Sequence, residues 1–328
     1  MADANRRGPE QASTRWPHRL AWLTVCLAFS LVWLGGTVTT YEAGMAVEDW
    51  PTTFGYWFYC PLHLWLGTWD VFLEHTHRML AQLVGLSTIV LAVLIWKSDR
   101  RRWMWWLAAA AVAVICFQGL LGGLRVLGDA RMLARIHACT APLFFALAAA
   151  MVAWTSPAWL RPDPPASDPA ARRLHWLSPG TTLGIYALIV LGAQLRHPMW
   201  DTAPGWFLFW LWTKLIAVGL VATAVAWLAA VVLQRAAAAP ILARRARWLV
   251  LLFCVQLLLG AGTWVVNYNW PAWSRDYVAA IDYTVLQEGR LQVLVTTAHA
   301  AVGALSLVAA LSLTLWSFRR LRVRGSDS

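Results

Sequence analysis

"VFLEHTHRMLAQLVGLSTIVLAVLIW" (71–96) decides the fold. It exceeds the roughly 20 residues that carry a helix across a hydrocarbon core. Its first turns nevertheless hold Glu74, His75, His77 and Arg78. Ionisable side chains at bilayer depth are costly and mark a functional site by default. The rest of the chain is of the same kind. It is 59% hydrophobic and 13% charged, whereas a soluble domain is about a quarter charged. Working outward from 71–96, the spans read as 20–40, 71–96, 103–124, 133–154, 180–195, 206–233, 248–266 and 291–316. The expected fold is all-α: a polytopic membrane protein of eight transmembrane helices.

The net charge of +11 follows the spans. Arg6, Arg7, Arg15 and Arg19, "KSDRRR" (97–102), Arg161, Arg172, Arg173, Arg235, Arg244, Arg245, Arg247 and "RRLRVR" (319–324) all fall on one side. The other side carries few cations but Glu42, Glu48, Asp49, Asp70, Asp129, Asp201, Asp276, Asp282 and Glu288. The positive-inside rule puts both termini in the cytoplasm, which places the protein in the cytoplasmic (inner) membrane. Topology accounts for the charge, so nucleic acid is not needed as a partner. The polar start "MADANRRGPEQASTRWPHR" (1–19), and a first apolar run without a small-residue cleavage site, read as a tail and a retained span. The tryptophans read mainly as interface belts. Of five cysteines, only Cys60 lies in an outer loop, so no disulfide within that loop is expected.

The spans repeat. "CFQGLLGG" (116–123) matches "CVQLLLGA" (254–261), "WLGGTV" (33–38) matches "VLGAQL" (190–195), and "RIHACTAPLF" (135–144) matches "TAHAAVGALS" (297–306). Leu/Ala/Gly-rich helices resemble one another by composition, but a Gln and a His recurring in register do not follow from composition. Four crossings per unit keep the copies parallel, related by an axis along the membrane normal. The expected organisation is a cytoplasmic tail (1–19), a first four-helix half (20–154), a Pro-rich cytoplasmic linker (155–179), a second half (180–316) and a cytoplasmic tail (317–328), the halves forming two pseudo-symmetric bundles.

Four histidines fall within spans. At ~1.5 Å per residue, His77 lies about 10 Å, His137 about 6 Å and His299 about 12 Å from the outer ends of their helices, all in the outer half of the bilayer. Glu74, His77 and Arg78 share one helix face; His75 points about 160° away from His77. His77 and His137, one per helix at similar depth, suit two axial ligands of a haem iron, and Arg78 suits a haem propionate. Zinc lacks a completing Cys or carboxylate set. A proton relay through Glu74 and the histidines is the other reading. Glu74, one turn before His77, suits proton transfer at the edge of a bound haem or an ion pair with Arg78.

With these stretches in view, the sequence resembles the haem A synthase family: "GGTVTTYEAGMAVEDWPTTFG" (35–55), "EHTHR" (74–78), "FQGLLGGLRV" (117–126), the His of "RIHACTA", "QLLLGAGTWV" (256–265) and "TTAHAAVGAL" (296–305). The resemblance implies oxidation of the haem O C8 methyl to a formyl group, giving haem A for cytochrome oxidase assembly. It implies a reactive haem at His77 and His137 with Glu74 beside it, and a haem b in the second half held by one His from span six and one, His299, from span eight. It implies haem O synthase and cytochrome oxidase assembly factors as partners; homo-oligomer formation stays open. The family has His-Arg where this chain has Thr213-Lys214, and no His occurs from 198 to 298. The second site is therefore five-coordinate through His299, completed by an unusual ligand such as Lys214 or His197, or empty. A haem-binding paralogue that carries haem or electrons without oxidising the methyl is the competing function.

Overall fold

The computed structural model describes residues 15–57, 60–128, 130–160, 164–197, 203–234, 239–268 and 289–323. Among them are eight helices long and apolar enough to cross a membrane. They are α1 (Arg15–Thr40), α2 (Trp69–Ser98), α3 (Arg102–Leu127), α4 (Arg131–Thr155), α5 (Ala171–Arg196), α6 (Pro204–Leu233), α7 (Pro240–Tyr268) and α8 (Arg290–Arg320). Each matches an expected span, extended at one or both ends. In lipid a segment must satisfy its backbone groups internally, and a helix does so. Hydroxyls within the spans turn back on the helix itself: Thr24 donates to the Leu20 carbonyl at 2.9 Å and Thr88 to that of Val84 at 2.7 Å. Thr68 caps α2, its Oγ1 accepting from Val71 N at 3.4 Å. Pro204 opens α6, where a missing N–H costs nothing.

The largest difference from expectation is at α5. It begins at Ala171, well before 180, and runs through Pro179. Hydroxyls tie this segment to α8: Ser178 Oγ lies 3.2 Å from Ser317 Oγ, and Thr182 Oγ1 lies 2.9 Å from Thr314 Oγ1. Packing against α8 thus outweighs the proline. Ahead of α5, Ala166–Asp168 (β1) pairs in parallel with Leu321–Val323 (β2) after α8, joining the linker to the end of the last helix.

The helices pack as two rings. α1 meets α2, α2 meets α3, α3 meets α4 and α4 returns to α1; α5 to α8 repeat the order. Between the rings, α4 meets α8, α1 meets α8 and α4 meets α5. Those are the contacts of a two-fold relation with α4 and α8 nearest the axis. The first ring buries Ala28, Val84, Phe144 and Phe145 together with Ala304 of α8; the second buries Val225, Leu228, Phe253 and Leu313. Large side chains such as Leu183, Leu220 and Leu258 remain exposed on the outside. So much apolar surface suits lipid, not water, and the protein is an all-α polytopic membrane protein.

Candidate functional site

The helix ends that bear His77, His137 and His299 lie opposite the linker. Over the first ring there lies a segment, residues 41–57, whose Ala43, Val47 and Thr53 are buried. Arg78 of α2 holds it. One guanidinium nitrogen donates to the carbonyls of Asp49 at 2.7 Å and Thr52 at 2.8 Å; the other donates to that of Val47 at 2.8 Å. The same group pairs with Glu74 Oε1 at 2.6 Å, and Glu74 Oε2 accepts from Val47 N at 2.9 Å. Both carboxylate oxygens are therefore committed, and both terminal guanidinium nitrogens are turned to the backbone. Of the two readings of Glu74, the geometry displays the ion pair.

The segment carries its own turn. Phe54 has φ 52° and Gly55 φ 81°; a left-handed conformation costs a non-glycine residue roughly 1–2 kcal/mol. Asp49 offsets that cost, accepting from Phe54 N at 2.8 Å and Gly55 N at 2.9 Å, with Thr52 Oγ1 also donating to it. Burial raises the Asp49 carboxyl, but these hydrogen bonds together hold it below the ordinary 3.8. Trp50 lies against Gly123 of α3, where a Cβ would stand 2.2 Å from the indole.

Beneath the segment, His77 packs on α1: a Cβ on Gly35 would stand 3.0 Å from His77 Cε1. His137 packs on α3, where a Cβ on Gly122 would stand 3.6 Å from His137 Cε1. Nδ1 of each imidazole is buried without a hydrogen-bond partner. The rings are within electrostatic reach of each other and of Arg125. Arg125 closes α3 and donates to the Gly44 carbonyl at 2.9 Å. Sequence reasoning carried it inside a family motif without assigning it a place in the site. Its signal was a cation at the end of α3, within "FQGLLGGLRV" (117–126), on the helix next to His137. His75 faces elsewhere, its Nδ1 3.1 Å from Thr53 Oγ1 and its ring 5.3 Å from Trp65, as the angle along the helix implies. Cys60 is a buried free thiol.

Two partnerless imidazole nitrogens on facing helices, with glycines making room for the rings, fit an axial ligand pair for haem. The described residues hold no cluster of three or more His, Cys, Asp or Glu suited to a bare metal ion.

In the second ring, His299 packs against Gly260, whose Cβ would stand 3.2 Å from His299 Cε1. Gln256 Nε2 lies 3.5 Å from His299 Nε2, and His299 Nδ1 is buried without a partner. Thr213 turns onto its own helix, donating to the Phe209 carbonyl at 2.7 Å. His197 stands instead within reach of His137, Arg125 and Arg135, nearer the first site. The segments between α5 and α6 and between α7 and α8 lie largely outside the described residues, with the acids Asp201, Asp276, Asp282 and Glu288 among them.

Residues 68–199 match the profile of a family described as cytochrome oxidase assembly protein. A heme A synthase of Alkalihalophilus pseudofirmus is 39% identical over 70 residues, 21% of this chain and 24% of that protein. A protoheme IX farnesyltransferase of Halobacterium salinarum is 28% identical over 128 residues, 39% of this chain and 28% of that protein. The chain thus spans about a quarter of the length of these curated relatives. The family match runs from α2 to the end of α5. It takes in Glu74, His77, Arg78, Arg125 and His137, and stops before Thr213, Lys214 and His299.

Proposed function

We propose that this chain is a member of the haem A synthase family, as the likeness of residues 68–199 and the 70-residue match to a heme A synthase support, and that it converts haem O to haem A in the membrane by oxidising the C8 methyl to a formyl group. The observation that carries the reading is the pair His77 and His137, on facing helices, with partnerless ring nitrogens and a glycine against each ring. Haem held by them supplies the redox chemistry when bound. Turning a methyl into a formyl is a four-electron oxidation; with water as the oxygen source it balances as R–CH3 + H2O → R–CHO + 4 H+ + 4 e−, the electrons passing through the haem to an external electron acceptor and the protons leaving the site.

The chain's own residues do the rest. His77 and His137 orient the porphyrin. Arg125, in reach of both rings, places a cation where propionates need one. Arg78 and Glu74 act as positioning residues: they clamp 47–53 across the outer end of the site and shield it from water, which strengthens electrostatic interactions within. Both termini lie in the cytoplasm, so the site faces the outer half of the bilayer. A haem O synthase is the natural supplier of substrate; the relative named for farnesylating protoheme IX belongs to that neighbouring chemistry.

Co-expression with a haem O synthase, followed by extraction and mass analysis of the haems, tests this. Formyl or hydroxylated product is expected with the native chain and is lost in His77→Ala and His137→Ala. Folded native protein that retains haem O without any modified product overturns the enzyme reading. That result supports the haem-carrying alternative, for which the Thr213-Lys214 replacement in α6 speaks.

A further inference from the structure

The second ring keeps the helix order of the first but not its imidazole on the second helix. The repeat pairs "WLGGTV" (33–38) with "VLGAQL" (190–195), so the counterpart of Gly35 is Gly192. Gly35 faces His77. Gly192 faces Lys214: a Cβ there would stand 3.2 Å from Lys214 Nζ. A side-chain nitrogen thus stands in the second ring where the His77 ring stands in the first. By register the partner of His77 is Thr213, whose hydroxyl is spent on its own helix. The neighbouring position points about 100° away around the helix, and the long lysine side chain covers that difference.

Lys214 also stands towards His299, within electrostatic reach of it. Among the described residues Lys214 has neither a hydrogen bond nor an ion pair. An ammonium left alone among apolar helices is costly, and such residues pair with a partner or serve a site. His299 meets it from α8 with one ring nitrogen buried and partnerless, beside Gly260, just as His137 lies beside Gly122. Two nitrogen donors from α6 and α8 therefore repeat the α2 and α4 arrangement, with an amine in place of one imidazole.

We propose that the second ring binds a haem whose iron is ligated by His299 on one face and by the amine of Lys214 on the other. This rests on the reading above that the chain binds haem. A neutral amine is a strong nitrogen donor, so the site is six-coordinate and low-spin. Its axial pair differs from the two imidazoles of the first site, and axial-ligand identity tunes the potential of a haem.

The test uses the full-length purified protein. The double variant His77→Ala/His137→Ala, checked for a monodisperse detergent complex, isolates the second site. Its haem content is measured as a pyridine haemochrome, and its ferric ligation by electron paramagnetic resonance and near-infrared magnetic circular dichroism. Retained haem with an amine–imidazole low-spin signature is expected. Adding Lys214→Ala turns that signal high-spin at unchanged haem content, and adding Lys214→His gives a low-spin bis-imidazole signature. A high-spin ferric haem in the double variant, or a low-spin signal that survives Lys214→Ala, overturns the ligand assignment while leaving haem binding intact. Folded double variant without haem overturns haem binding by the second ring, and the assignment with it. The native protein carries the same low-spin signature beside that of the first site, so the result does not depend on any one variant folding.

Discussion

Gly35 and Gly122 stand where α1 and α3 pass the two imidazoles, and they differ in how much room they leave. A methyl added at Gly35 comes within 3.0 Å of the His77 ring, so tight that the ring must shift by a few tenths of an ångström; at Gly122 the approach to His137 is 3.6 Å, an ordinary contact. Gly119, on the same helix as Gly122, has nothing within 4 Å. Gly35→Ala is therefore expected to tilt His77 and lower the haem-to-protein ratio several-fold with helix content unchanged. Gly119→Ala keeps full occupancy and gains up to ~1 kcal/mol of helix propensity. Circular dichroism and haem assay on both variants check the pair; equal haem loss from both would remove the steric argument. The same reasoning explains why Thr213 was a poor guide to the second site. Register assigns a residue its place by Cα, whereas a donor is placed by the length and direction of its side chain, and Lys214 outreaches its neighbour.

At the scale of the element, the 41–57 segment is held through the backbone. The spacing of Glu74, His77 and Arg78 made one helix face legible. What Arg78 touches was not legible, because carbonyls of Val47, Asp49 and Thr52 carry no side-chain pattern. Removing one partner of a buried ion pair costs about 3–5 kcal/mol, and Arg78→Ala also strands three carbonyls. The expected outcome is protease cleavage within 41–57 with the spans still helical, read by limited proteolysis and mass spectrometry. Haem loss while that segment stays protected would return Arg78 to a propionate-binding role. Asp49 adds a pH dependence. Its folded value lies below the ordinary 3.8, so its contribution is complete above that value and fades as pH falls through the depressed one. Protection of the turn is thus expected to persist through mildly acidic pH and to drop only below the usual carboxylate range. In Asp49→Asn the turn is cleaved faster at neutral pH, with that acid step flattened.

For the whole molecule, hydropathy and charge were enough to read eight spans, because length and polarity are properties of sequence alone. How the rings meet was not readable, since small residues and backbone acceptors make the contact. Gly36 of α1 faces Thr297 of α8, whose Cγ2 a Cβ would approach to 3.1 Å. At the corner where α1 ends, Arg196 of α5 donates to the Gly36 carbonyl at 2.8 Å and to Thr40 Oγ1 at 2.7 Å, both on α1. Arg135 of α4 donates to the His197 carbonyl at 2.6 Å. His197 thus sits where three helices of two rings converge. Burial first, then Arg196, Arg125, Arg135 and His137, push its imidazole from 6.5 down to about 4. Folded protein keeps it neutral where the unfolded chain protonates it, so the unfolded chain binds more protons between those values. Stability linked to this corner is therefore full above 6.5 and lost as pH falls from 6.5 towards 4. The apparent unfolding midpoint in detergent should decline across that window and level off below it. His197→Asn, which holds a polar side chain without a proton to gain, should flatten the decline while leaving the midpoint at pH 7.5 nearly unchanged. A native profile flat between 4 and 6.5, or an identical slope in the variant, would show that the junction of the two rings does not depend on His197 staying neutral.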